Sequence, residues 1–271
     1  MTFNTTNNDK NFFNNQNFVL GFEPEFNSVG FNEMNRHNQS LGENRIKGLH
    51  YVFDGSQVDG EASLPILSNC EKSKLYLKSV LEQLVAKQAT VNWTCSIHIH
   101  VSRRPIIIDP TEFHDMSVAH SESNNYTPLP SNDRASYFGN AIPLEIAKDI
   151  GYRVSKNIDQ YNSFLAPSRI DDGGYAVPAM RRVYNNRGQK NGYFCKKPSS
   201  KDAILNSTSL YQLQRSISPA SKYSSINLYH WSDYETIEYR SHGGTFEIEK
   251  IWSYAMFLIA MQKHSIINRH N

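Results

Sequence analysis

Three pairs of ionisable residues recur in this chain with one spacing: Glu23-Pro24-Glu25, His98-Ile99-His100 and Glu238-Tyr239-Arg240. Each pair lies two residues apart in a segment that otherwise reads as a strand, and residues i and i+2 of a strand project from one face. A carboxylate pair, an imidazole pair and a carboxylate–guanidinium pair would therefore line one side of a sheet. Asp54, at a turn, and Glu61, opening a short extended piece, add two more acids. The residue types match a site for two hard divalent cations that handle phosphate.

The surrounding residues decide whether these pairs are surface decoration. Val19, Leu20 and Phe22 precede the first acids and Phe26 follows them, so Phe18 to Phe26 reads as a core-packed strand in which unpaired carboxylates are costly. Pro24 lacks an N–H and marks a bulge, an edge or an end of pairing. The alternation of Ser96 to Val101 is strict. It places Ile97, Ile99 and Val101 on the apolar face and both histidines on the other, as a metal ligand plus a phosphate contact. Taken alone, Glu238 and Arg240 read as a simple salt bridge. Taken together, the acids, imidazoles and guanidinium are too many for the exposed face of an ordinary sheet.

The remaining segments supply the frame. Extended pieces are expected at His50 to Phe53, Gly60 to Ser63, Ser224 to Tyr229 and Glu235 to Arg240, the last two as antiparallel neighbours. Helical spacing covers Glu71 to Ala89, with apolar Leu75, Leu77, Val80, Leu81, Leu84 and Val85. A second helix runs from Ile142 to Leu165 with a break near Gly151. A third runs from Ile248 to about Ile267, with Trp252, Met256 and Ile259 on one face. His114 and His120 fall in a polar stretch read as an exposed loop. Residues 181–201 carry seven Lys and Arg, no acid, and interleaved Tyr184, Tyr193 and Phe194, which reads as a basic loop.

At 271 residues with a net charge of +2, the chain can bury a sizeable core and gives no global electrostatic case for nucleic acid or an anionic membrane. Its three cysteines are far apart and odd in number, so they read as free thiols in a reducing, cytoplasmic setting. No run reaches about 18 apolar residues, so no membrane span is expected. Residues 1–17 are Asn-rich and expected to be poorly ordered, leaving 18–271 as one domain. Phosphate-loop, dinucleotide and nucleophile-elbow motifs are absent from the sequence.

In order along the chain, GFEPEF (21–26), DGSQVDGE (54–61), NWTCSIHIHVS (92–102), FLAPSR (164–169) and YSSINLYHWSDYETIEYRSHGGT (223–245) resemble the motifs of the amidoligase family. That family belongs to the carboxylate–amine ligases, with glutamine synthetase and glutamate–cysteine ligase. The resemblance implies an α+β fold whose curved, mainly antiparallel sheet lines the site, with helices packed on the outer face. It implies that Glu25, Asp54 and Glu61 bind one Mg²⁺, and Glu23, His98 and Glu238 another, Mn²⁺ being an alternative. His100 and Arg240 would face the phosphates of ATP, and Arg169 a substrate carboxylate or phosphate. The implied activity is ATP-dependent amide formation between small-molecule or peptide carboxylate and amine substrates, through an acyl phosphate. Two alternatives stay open. One is phosphoryl transfer to a guanidino or amine acceptor. The other is a nucleic-acid- or partner-binding protein that uses the basic loop 181–201.

Overall fold

The structure is a computed structural model. It describes residues 18–27, 46–52, 60–103, 109–123, 143–157, 165, 199–218, 224–229 and 236–267. Among these, seven strands form one open sheet in the order β2-β3-β1-β5-β7-β6, with β4 also pairing β1. The strands are β1 (Phe18–Phe26), β2 (His50–Val52), β3 (Gly60–Ser63), β4 (Leu67–Ser68), β5 (Ser96–Arg103), β6 (Ile226–Asn227) and β7 (Ile237–Gly243). Every pairing between them is antiparallel. The helices are α1 (Glu71–Ala86), α2 (Pro110–Ser123), α3 (Leu144–Lys156), α4 (Lys201–Leu205), α5 (Leu210–Ile217) and α6 (Ile248–Ile267). The chain is thus a mixed α+β fold built on an open antiparallel sheet. No helix among the described residues is long and apolar enough to cross a membrane.

The sheet is two-faced because its central strands alternate. Phe18, Leu20, Phe22 and Phe26 of β1, Ile97, Ile99 and Val101 of β5, and Ile237 and Tyr239 of β7 join one buried apolar cluster. Leu77, Val80, Leu81 and Leu84 of α1 and Ile251, Tyr254, Ala255, Leu258 and Ile259 of α6 complete it. Phe22 stacks on Trp252 with ring centroids 6.2 Å apart. The buried Tyr239 hydroxyl accepts a 3.1 Å hydrogen bond from Gln262 Nε2. Each fully buried Leu or Phe contributes roughly 1.5–3 kcal/mol relative to exposure, and this face is the source of that gain.

Several elements depart from the sequence-based expectation. α1 stops at Ala86 rather than Ala89 because the chain steps into the left-handed region at Gln88 (φ 62°), where the Ala89 amide bonds Leu84 O at 3.0 Å. Leu75 and Val85 fall off the core face and are 56% and 52% exposed. On α6 the core stripe runs through Ile251, Tyr254, Leu258 and Ile259, with Trp252 and Met256 half-buried at its margin. His114 and His120 are not in an exposed loop. Asp109 caps the amides of Thr111 and Glu112 at 2.8 and 3.2 Å, Pro110 opens helix α2, and His114 is buried with Nδ1 3.0 Å from Ser73 Oγ. His120 is half-buried on the same helix. Lys201, assigned to the basic loop, instead begins α4 after a Ser200 cap, with its ammonium 5.5 Å from the Tyr152 ring centroid. Cys70 and Cys95 are free thiols; Cys195, residues 1–17 and 181–198 of the basic segment lie outside the described residues.

Helix α3 runs unbroken through Gly151, contrary to the break expected there. The glycine serves packing: a Cβ at this position would stand 2.1 Å from Ile217 Cδ1 and 2.8 Å from Ile217 Cγ1 on α5. Alanine would gain about 1 kcal/mol of helix propensity, but the overpacking should cost about 1–3 kcal/mol. Gly151→Ala is therefore expected to lower the urea midpoint, with Ile217→Val recovering part of the loss. A raised midpoint in Gly151→Ala alone would refute the packing role.

Candidate metal centre

Cross-strand register assembles the polar face. Glu23 pairs with His98 across β1 and β5, Glu25 with Glu61 across β1 and β3, His100 with Glu238 across β5 and β7, and Asn227 with Glu238 across β6 and β7. Directly opposed residues share a face, so four strands deliver acids and imidazoles to one patch. Between Ile97 and Ile99 the β5–β7 register slips, with Ile97 opposite His242 and Ile99 opposite Tyr239. Arg240 and Ser241 together therefore face His98. This bulge reverses the parity of β7 beyond Arg240: His242 turns to the helix side, its ring 4.9 Å from that of Tyr254. Glu238 and Arg240 stay on the polar face.

His98 is the hub. Its Nδ1 lies 3.3 Å from Glu61 Oε2, 3.6 Å from Glu23 Oε2 and 3.8 Å from Glu238 Oε1, and its Nε2 lies 3.3 Å from Glu25 Oε1. The residue is 2% exposed, and Nδ1 has no hydrogen-bond partner. His100 Nε2 meets Glu23 Oε2 at 3.1 Å, and its Nδ1 meets Thr236 Oγ1 at 3.0 Å. Arg240 Nη1 donates to Glu238 Oε1 at 2.5 Å, and Asn227 donates to the other Glu238 oxygen at 2.5 Å. Arg240 Nε is buried without a partner. Two sets of ligand atoms converge within 4.8 Å: Glu23, Glu61 and His98, and Glu23, His100 and Glu238.

These sets cut across the grouping that the resemblance implies. Among the described residues Glu61 converges with Glu23 and His98 while also standing opposite Glu25; the Glu25–Asp54–Glu61 grouping includes a residue outside them. Glu23 is common to both sets, and His100 is a member of the second. Asp54 and Arg169 lie outside the described residues. Ser96, Asn227, Thr236 and Ser63 escaped the sequence reading, although each contacts the cluster. The parity rule had the reach to find three of them, since Ser96 precedes His98 by two residues, Thr236 precedes Glu238 by two and Ser63 follows Glu61 by two.

Electrostatics explain how the acids coexist. Burial would raise the Glu23 carboxyl, but the charges and hydrogen bonds of His100 and His98 outweigh it and hold the group well below its usual range. Burial also opposes Glu238, where the neighbouring Arg240 and then the two imidazoles bring the carboxyl down. Burial, then the Glu23 charge, pushes Glu61 up. For His98, burial and Arg240 disfavour the proton, but Glu25, Glu23 and Glu61 prevail and raise it to about 10. His100 is raised for the same reason, mainly by Glu23 against burial. Among the described residues, four carboxylates thus face one permanent cation, Arg240, and even two protonated imidazoles leave this set short of positive charge.

The donor set fits a divalent cation. Ligand atoms of an octahedral ion with bonds near 2.1 Å stand roughly 3–4 Å apart, which matches the 3.3–3.8 Å spacing around Nδ1 better than hydrogen bonds do. The carboxylate oxygens, which outnumber the imidazoles, suit Mg²⁺ or Mn²⁺, while the imidazole nitrogens also accept softer ions such as Zn²⁺. With no ion added, the proton on His98 is the substitute cation. Its folded pKa lies above the ordinary 6.5, so its stabilisation is complete below pH 6.5 and is lost as pH rises through about 10. The lowered Glu23 and Glu238 act in the opposite direction, losing their contribution only in acid. In EDTA the Tm should therefore fall between pH 7 and 10, and both Mn²⁺ and His98→Asn should flatten that fall. A pH-independent Tm over this range would contradict the proton's role.

Compared with known proteins, the chain matches no family model, no curated protein and no solved structure.

Proposed function

We propose that this chain is an ATP-dependent carboxylate–amine ligase of the amidoligase kind, with a glutamine synthetase-like sheet. The observation that carries the reading is the pair of ligand sets sharing Glu23, each with one buried and two half-buried members, on one sheet face beside Arg240. So many carboxylates repel an anion unless cations intervene, and two cations side by side are what a polyphosphate requires.

In this reading Glu23, Glu61, His98, His100 and Glu238 hold two Mg²⁺ ions. When bound, the ions neutralise phosphate oxygens of ATP. Arg240, anchored by Glu238 at 2.5 Å, supplies a fixed positive charge beside the transferred γ-phosphoryl group. A substrate carboxylate oxygen attacks the γ-phosphorus, the bond to the β-phosphate oxygen breaks, and ADP leaves. The amine nitrogen then attacks the acyl carbon, phosphate departs, and the nitrogen loses its proton. Phosphorylation supplies the leaving group that a carboxylate lacks. The chain's part is positioning and charge neutralisation, which needs no cysteine or serine nucleophile.

Across a panel of acids and amines with Mg²⁺ and ATP, phosphate release should require both an acid and an amine. Arg240→Lys should lower turnover about a hundredfold or more while Mg²⁺ binding persists, and Glu23→Gln should abolish Mg²⁺-dependent nucleotide binding. A phosphorylated amine or guanidine formed without any acid would replace this reading with phosphotransfer. Failure to bind Mg²⁺ and ATP at all would remove both.

A further inference from the structure

Asn227 lies on β6, the last strand in the sheet order, yet it is 1% exposed and stands directly opposite Glu238 on β7. Paired residues share a face, so its side chain joins the polar face while neighbouring Ile226 joins the core with Tyr239. A buried side-chain amide is costly unless its donor and acceptor ends are both used. The partners of Asn227 fix which end is which. The Tyr229 backbone N–H can only donate, and it meets Asn227 Oδ1 at 2.7 Å. The amide nitrogen is then the atom 2.5 Å from Glu238 Oε2, and it donates to that carboxylate.

Glu238 is thereby held at both oxygens, Oε2 by Asn227 and Oε1 by Arg240 Nη1. Each oxygen keeps a further lone pair, so neither bond takes Glu238 out of the set it forms with Glu23 and His100. Donors on its two sides stop the carboxylate from turning about its last bond, which fixes Oε1, the anchor of the Arg240 guanidinium. The strand pairing supports the same geometry, since the Arg240 N–H donates to Ser225 O at 3.1 Å. We propose that Asn227 is a positioning residue that acts through Glu238 to hold Arg240 beside the cation centre. This rests on the proposed binding of a metal nucleotide at that centre. The chain turn after β6 and the anchor of Arg240 are joined through one side chain.

The experiment is calorimetric titration of a non-hydrolysable ATP analogue into the full chain at saturating Mn²⁺, with bound Mn²⁺ counted by electron paramagnetic resonance. The variants are Asn227→Ala, Asn227→Asp and Glu238→Ala, and each of the first two combined with the third. Alanine removes both bonds of the amide. Aspartate still accepts from Tyr229 but turns an acceptor toward Glu238, which separates capping the turn from positioning the carboxylate. Both Asn227 variants should bind the analogue about 10–100-fold more weakly, as when a ligand loses an outer partner. Asn227→Ala should still bind as many Mn²⁺ ions as wild type. Neither change should cost anything further beside Glu238→Ala, because the group it positions is gone. Wild-type affinity in Asn227→Asp would reduce Asn227 to a turn cap and overturn the proposal, as would a cost that persists undiminished beside Glu238→Ala. Should Glu238→Ala bind too weakly to titrate, Asn227→Asp decides alone. Should Asn227→Asp not fold, unchanged affinity in Asn227→Ala overturns the proposal. Wild type that binds neither Mn²⁺ nor the analogue would instead overturn the proposed function, and this inference with it.

Discussion

Everything on the polar face follows from crowding four carboxylates, two buried and two half-buried, within reach of one another. Like charges at such distances in a poorly solvated setting are tolerated only if opposite charge is interleaved. Arg240 supplies part of it permanently, and the imidazoles of His98 and His100 supply more by holding protons above their ordinary range. Among the described residues the balance still falls short of neutrality. A cation is the natural completion, and the proposed chemistry uses that deficit: the same shortage that strains the metal-free protein gives a metal nucleotide a reason to bind.

The rest of the fold makes that strain bearable. The opposite face of the same strands packs Phe22, Ile99 and Tyr239 against α1 and α6, so the residues that stabilise the sheet and those that burden it alternate along one backbone. The β7 bulge lets both faces be served. Glu238 and Arg240 remain with His98 while His242 turns to Tyr254. Gly21, opposite His100, works at the same scale, since a Cβ there would come within 3.2 Å of His100 Cβ.

Much of this was legible in the residues and some was not, for reasons that can be named. β1, β5 and α6 stood out because their periodicity is strong and their flanks are apolar. The strand pairs were legible because i,i+2 spacing is a direct consequence of strand geometry. Helix α2 was missed although Asp109-Pro110 is a good helix start, because its polar residues hide any apolar stripe. α4, five residues long, is too short to show a period. Gly151 reads locally as a breaker, and only the neighbouring Ile217 reveals it as a packing contact. Which acids share a cation depends on cross-strand register, and one sequence does not encode register in any local signal. The sharing of Glu23 and the engagement of Glu25 with Ser96 therefore became visible only in three dimensions.

The most direct measurement is anomalous diffraction from crystals of the full chain grown with Mn²⁺ and a non-hydrolysable ATP analogue. The account predicts two anomalous peaks about 4 Å apart on the polar face. One should lie against Glu23, Glu61 and His98, the other against Glu23, His100 and Glu238, with the triphosphate on both ions beside Arg240. Density for the analogue away from this face, or a face free of Mn²⁺ at saturating concentration, would contradict it.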